Sequence, residues 1–179
     1  MNQEKRKKSV FVEWTQAIVV TLIIAIILRS FVFLFARVEG ISMLDTLREG
    51  DRLVVSKISY TFSEPDYGDI VIINISSDAE YVKRIIGKGG DSIKIENNVV
   101  YKNGTALNEP YLQKNLTYDD FAEVVVPEGY YFVLGDNRPR SKDSRYPSVG
   151  FIAEKNIDGK VIFRIWPLSD FNSPYNTGD

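Results

Sequence analysis

Glu39-Gly40-Ile41-Ser42-Met43-Leu44-Asp45-Thr46-Leu47 is the stretch around which the rest of the chain is organised. It begins a few residues after a long apolar run and sets a serine in a Gly-x-Ser-Met context. We read Ser42 as a nucleophile, with the downstream chain building a site around it. Composition narrows the chemistry. The 179 residues include no cysteine and no histidine. The first absence removes disulfides, thiol nucleophiles and thiolate metal sites. The second removes a Ser-His-Asp triad and a histidine zinc site. Acid–base chemistry near neutral pH then falls to Lys, Asp, Glu or Tyr with a displaced pKa. No metal and no cofactor is expected. The net charge of −2 gives no reason to expect nucleic acid as a partner. The length suits one modest domain with a real core.

Four basic residues, Lys5 to Lys8, precede an apolar run from Trp14 to about Phe35. Three readings compete: a cleaved signal peptide, a buried core helix and a membrane anchor. A signal peptide's apolar core is only about 7–15 residues and ends at small residues. This run is longer and is followed by Phe31, Phe33 and Phe35. A span needs roughly 20 residues, and the run has no polar face of the kind a core helix shows. We therefore expect a cytoplasmic N-terminus over 1–13, a transmembrane anchor over 14–36 and an extracytoplasmic domain over 37–179. The basic cluster sets the orientation by the positive-inside rule. Arg29 is placed to snorkel to the far headgroups.

From about residue 52 onward the chain reads as strands and turns. Arg52–Lys57, Asp69–Ile75, Tyr81–Lys88, Ile93–Ile95, Val99–Tyr101, Val124–Val126, Tyr130–Leu134 and Lys160–Ile165 are rich in Val, Ile, Phe or Tyr. Gly, Pro, Asn and Asp separate them. Ile93–Ile95 and Val99–Tyr101 flank Glu96-Asn97-Asn98 as a short hairpin, and Asn103-Gly104 is the next turn signal. The fold class is mainly β, a barrel or paired sheets behind one N-terminal transmembrane helix.

Without histidine, a serine nucleophile needs another base. Lysine serves if burial in an apolar pocket makes it neutral. Lys83, in Tyr81-Val82-Lys83-Arg84-Ile85-Ile86-Gly87, is the best fit. Strand alternation puts Lys83 on one face and Arg84 on the other. The bland alternative makes both of them solvated charges at a strand edge. Gly135-Asp136-Asn137-Arg138-Pro139-Arg140-Ser141-Lys142-Asp143-Ser144-Arg145 follows an apolar strand. Such a loop either satisfies its own backbone or builds a site, and spacing alone favours neither.

Together these stretches resemble the type I signal peptidases, membrane-bound Ser/Lys proteases that remove signal peptides from exported proteins. The resemblance covers nearly the whole chain. It includes the anchor, 40–47, Gly68-Asp69-Ile70-Val71, Lys83–Gly87 with Gly90-Asp91, 135–145, Gly159-Lys160 and Arg164-Ile165-Trp166-Pro167. The small size and single anchor look like the Gram-positive form. The resemblance implies Ser42 as nucleophile, Lys83 as general base and Ser141 as a serine that positions the lysine. It implies a structural pair Asp143–Arg145 and a loop carboxylate, Asp136, paired with Arg84. It also implies a β-rich core with a smaller β excursion at about 89–127. The oxyanion would meet the Ser42 N–H, since Gly40 stands where some relatives carry a serine donor. The implied partners are signal peptides of exported preproteins and the lipid bilayer of the plasma membrane. Substrate would bind as an extended strand between 37–41 and the strand before Lys83. Two shallow pockets for an Ala-x-Ala site would be lined by Val38, Met43, Leu47, Tyr81 and Val82.

Two positions depart from the family's pattern. Asp45 stands where a proline is usual, and we expect it to cap the turn after the nucleophile. Gly89 stands where a second proline is usual, and we expect a looser turn there. These departures keep one alternative open, a catalytically impaired paralogue acting as a membrane-bound assembly factor or chaperone for pilin-like substrates. A self-cleaving repressor-type Ser/Lys protease is disfavoured, because it lacks a membrane anchor.

Overall fold

The computed structural model describes residues 2–44, 46–76 and 79–174. Helix α1 runs Asn2–Val32, and within it Val10–Ile27 has a mean hydropathy of 2.2 with none of its length buried. It is long and apolar enough to cross a membrane. The helix stops short of the expected anchor boundary, because Phe33–Arg37 forms strand β1. Its residues alternate between exposed and half-buried, and β1 pairs antiparallel with β2 (Arg52–Ser56) from Phe33↔Ser56 to Arg37↔Arg52. Aromatic residues suit either a membrane interface or a pleated sheet. The available partner strand decided between them.

A short helix, α2 (Ser59–Phe62), leads to β3 (Ile70–Ser76) and β4 (Ala79–Lys88). The chain continues through β5 (Ser92–Glu96), β6 (Val99–Lys102), β7 (Thr105–Ala106) and β8 (Phe121–Val125). It closes with β9 (Tyr130–Leu134), β10 (Ile152–Ala153) and β11 (Ile157–Trp166). Seven strands form one sheet in the order β1-β2-β11-β3-β4-β9-β10, and four form a second in the order β7-β6-β5-β8. The second sheet lies inside the expected excursion at 89–127.

Strand β3 shows why the first sheet holds. Ile70 and Ile72 enter one cluster with Val38, Met43, Leu47, Leu53, Val55 and Val161. Val71 and Ile73 enter another with Ile85, Tyr131, Val133 and Ile152 on the opposite face. A strand covered on both sides reads as a continuous apolar run. The third cluster joins Ile93, Ile95 and Val100 of the second sheet to Phe132 and Leu134 of β9. The β5–β6 and β6–β7 hairpins turn on Asn97-Asn98 and Asn103-Gly104, all four with positive φ, as two-residue primed turns demand.

The turn at Gly89 is not loose. Asp91 N–H donates to the Lys88 carbonyl at 3.0 Å and Gly90 N–H to the Val126 carbonyl at 2.9 Å. A Cβ on Gly89 would stand 2.9 Å from Glu128 Cα, so glycine here permits a close backbone crossing. The cap expected of Asp45 lies outside the described residues.

Gly159 is a sharper case. A Cβ there would lie 2.5 Å from the Ser56 carbonyl oxygen and 3.0 Å from its carbon. Both atoms are backbone and have no rotamer to escape into. Gly159→Ala is expected to destabilise the protein by about 1–3 kcal/mol, seen as a lower urea midpoint. An unchanged midpoint would mean that β2 and β11 separate freely.

Candidate active site

Ser42 sits on a turn that leaves β1. Leu44 N–H donates to the Ile41 carbonyl at 3.2 Å and Leu47 N–H to the Met43 carbonyl at 2.8 Å. Met43 and Leu47 are buried beneath the turn and anchor it to the core. Ser42 is thereby held half-buried at the surface of the sheet. Gly40 has a φ of +80°, and a Cβ there would meet nothing within 4 Å. Backbone conformation, and not space, disfavours a serine at this position. The Ser42 N–H donates to no acceptor among the described residues.

Strand β4 brings Lys83 to the same place. Lys83 Nζ donates to Ser42 Oγ at 2.8 Å and to the Val82 carbonyl at 2.9 Å. Lys83 is 1% exposed. Burial pushes its pKa down to about 8, while the charges of Asp143 and Asp136 pull it back up. The Tyr81 ring stands 5.2 Å from the ammonium.

Arg84 is buried as well, on the opposite face of β4. The solvated-edge reading of these two cations therefore fails. Arg84 Nε and Nη2 donate to Asp136 Oδ1 and Oδ2 at 2.9 and 2.7 Å. Asp143 and Arg145 form the other expected pair, with Nε to Oδ1 at 2.7 Å and Nη2 to Oδ2 at 2.8 Å. Asp143 Oδ2 also accepts from the Gly135 N–H. A bidentate carboxylate is geometrically locked, so both side chains are held in place by their arginines.

Ser141 does not make the expected contact with Lys83. Its hydroxyl is buried, has no hydrogen-bond partner among the described residues and stands against Gly135. The Val82 carbonyl is the second acceptor for the lysine instead.

A groove of about 680 Å³ opens beside Ser42. Val38, Met43, Tyr81 and Val82 line it as expected. Leu47 does not, because it is wholly buried under the turn that carries Ser42. Leu34, Ala36 and Ile72 take part instead. The first two were hidden by assigning 33–36 to the anchor. β1 is the terminal strand of its sheet, and β9 joins β4 only from Arg84 onward. The groove thus runs between two strand edges.

Asn137 and Thr46 were not singled out in the sequence. Asn137 N–H donates to the Ser42 carbonyl at 3.0 Å, and its Nδ2 donates to the Ile41 carbonyl at 2.9 Å. The Thr46 hydroxyl donates to Asp136 Oδ2. Asn137 lay within a loop already marked, but its partner is 96 positions away, which spacing does not reveal. Among the described residues no group of three or more acidic side chains is arranged to hold a metal ion.

A serine hydroxyl bonded to a desolvated lysine, beside a strand-edged groove, has the parts of a Ser/Lys hydrolase. The family described as signal peptidase, peptidase S26, matches residues 11–166. Signal peptidase I of Bacillus amyloliquefaciens is 44% identical, covering 93% of this chain and 91% of that one. Signal peptidase I T of Bacillus subtilis (strain 168) is 43% identical with the same coverage. Signal peptidase IB of Staphylococcus aureus (strain Mu50 / ATCC 700699) is 36% identical, covering 94% and 96%. A crystal structure of a signal peptidase I from Enterococcus faecalis V583 covers 55% of this chain and 97% of that one, at 35% identity and a TM-score of 0.48. The chain belongs to the signal peptidase I family of serine peptidases. Nothing in these comparisons favours the impaired assembly-factor alternative.

The lysine carries a measurable consequence. The unfolded chain holds this proton up to about pH 10.5 and the folded chain only up to about 8. Between those values the unfolded state binds more protons, so stability rises with pH. Lys83→Met is expected to stabilise the protein below pH 8 by about 3 kcal/mol, with the gain fading toward pH 10.5. A variant no more stable than wild type at pH 7 would show that the amine is well solvated.

Proposed function

We propose that this chain cleaves signal peptides from exported preproteins at the outer surface of the plasma membrane, with Ser42 as nucleophile and Lys83 as general base. The observation that carries the reading is the 2.8 Å contact between Ser42 Oγ and an amine that is 1% exposed. With Lys83 neutral, its lone pair takes the Ser42 proton as Oγ attacks the scissile carbonyl. The oxyanion meets the Ser42 N–H. Asp143 and Asp136 stabilise the lysinium formed in that step. The lysinium then protonates the leaving amine. In the second half Lys83 activates water, which releases the acyl group and restores Ser42.

The substrate adds as a strand between the edges of β1 and β4. Alternate side chains enter the apolar part of the groove, where Leu34, Val38, Met43 and Val82 leave room for small groups. This favours Ala-x-Ala and rejects bulk by overpacking. Helix α1 is the anchor, with Lys5 to Lys8 on the cytoplasmic side by the positive-inside rule. Only β1 and a short turn separate the end of α1 from Ser42. The site then lies at the membrane surface, where the end of a signal peptide's apolar core emerges, and effective concentration aids selection.

Cleavage of a preprotein carrying an Ala-x-Ala site tests this. Ser42→Ala and Lys83→Ala are each expected to abolish cleavage, and a wild-type protein that cuts no such substrate would overturn the reading. The rate should climb with pH and level off above about pH 8 as Lys83 loses its proton. A flat profile from below pH 7 to above pH 9 would exclude a titrating lysine.

A further inference from the structure

The loop between β7 and β8 reaches back from the second sheet to the loop that follows β9. There Glu109 meets Arg138. Arg138 Nη1 and Nη2 donate to Glu109 Oε2 and Oε1 at 2.9 and 2.5 Å. The Tyr111 hydroxyl donates to the same Oε1 at 2.6 Å. The Arg138 side chain has no exposure and that of Glu109 has 7%. A guanidinium so deeply buried requires a carboxylate partner, and among the described residues Glu109 is the only one paired with it. Neither residue lines the groove.

Arg138 is tied to the nucleophile through the backbone. Its Nε donates to the Gly135 carbonyl at 3.1 Å, and its own carbonyl accepts from Arg145 Nη2 at 2.6 Å. A Cβ on Gly135 would stand only 2.4 Å from the Ser42 carbonyl oxygen. Asn137, next to Arg138 in the chain, grips the Ser42 and Ile41 carbonyls. Residues 135–138 are thus pressed against the nucleophile turn, and Arg138 pins them from within. The same strap of the second sheet lays the Tyr111 ring 3.8 Å from the Arg84 guanidinium, the partner of Asp136.

We propose that Glu109 is a positioning residue for Ser42, acting through Arg138, and that the second sheet thereby helps to set the catalytic geometry. The proposal rests on the peptidase reading above. Removing the Glu109 charge leaves Arg138 buried and unpaired. The loop at 135–138 then shifts, and the Ser42 carbonyl with its turn shifts with it. Displacements of about 1 Å at a reacting group cost up to about a hundredfold in rate.

The test uses the purified full-length chain in detergent with an Ala-x-Ala peptide. Wild-type turnover comes first; its absence would sink the peptidase reading, and with it the positioning role proposed for Glu109. Glu109→Gln is expected to lower kcat about tenfold or more while KM stays within about twofold. Glu109→Asp, which keeps the charge on a shorter arm, should fall between. Glu109→Gln combined with Arg138→Gln strands no charge, so stability should recover toward wild type while kcat stays low. Recovery of kcat together with stability would overturn the proposal. So would a Glu109→Gln protein that is less stable but keeps its kcat. Amide exchange at Asn137, whose N–H is bonded to Ser42, gives a readout independent of turnover. It should quicken in Glu109→Gln, and unchanged protection there would also overturn the proposal.

Discussion

A lysine amine taken out of water beside a serine hydroxyl is the constraint on which this structure depends. Burial favours the neutral amine of Lys83, because desolvation disfavours its charged form. Burial alone would make the lysinium hard to form. The fixed charges of Asp143 and Asp136 oppose that, and both are held by bidentate arginines. The pKa of about 8 reflects a balance between dehydration and fixed charge. The loop at 135–145 supplies those charges: Asp136, Arg138 and Asp143 are buried within it, while Pro139, Arg140 and Lys142 stay exposed.

The same elements border the groove beside Ser42. Strand β1 comes directly out of the long apolar helix and ends close to Ser42. β4 carries Lys83, and its first half borders the groove. One groove therefore has a strand edge on each side and Ser42 in its wall, with Lys83 buried behind it. Met43 and Leu47 carry the turn between these parts, and their burial turns core packing into placement of Ser42. The second sheet contributes through Glu109 and Tyr111, which close over the two buried arginines behind the site.

Much of this was legible along the chain. Missing histidine and cysteine excluded the commoner nucleophile chemistries, and an apolar strand with one well-placed lysine supplied the alternative. The apolar run of β3 marked a strand, and alternation along β4 separated Lys83 from Arg84. The paired-asparagine turn announced its hairpin, since few residues accept positive φ at two successive positions. Asp136–Arg84 and Asp143–Arg145 formed as the family resemblance implied. Less was legible where the outcome hung on a distant partner. Residues 33–36 suit the end of a span by composition, and only β2 alongside shows them to be part of a strand. Leu47 has the character of a pocket residue, but the turn directs it into the core. Ser141 has the right residue type, but its hydroxyl faces Gly135 and not the lysine.

By itself, then, the sequence determined the menu of chemistry, the apolar helix and most of the strands. Composition and local periodicity are properties of neighbouring residues. Tertiary structure decided where β1 begins, which apolar side chains face the groove, and how Asn137 and Glu109 bear on Ser42. Those outcomes depend on contacts between segments far apart in the chain, such as Glu109 and Arg138 or Ile41 and Asn137. A buried guanidinium or carbonyl must find a partner wherever the fold supplies one. Sequence spacing carries no record of that choice.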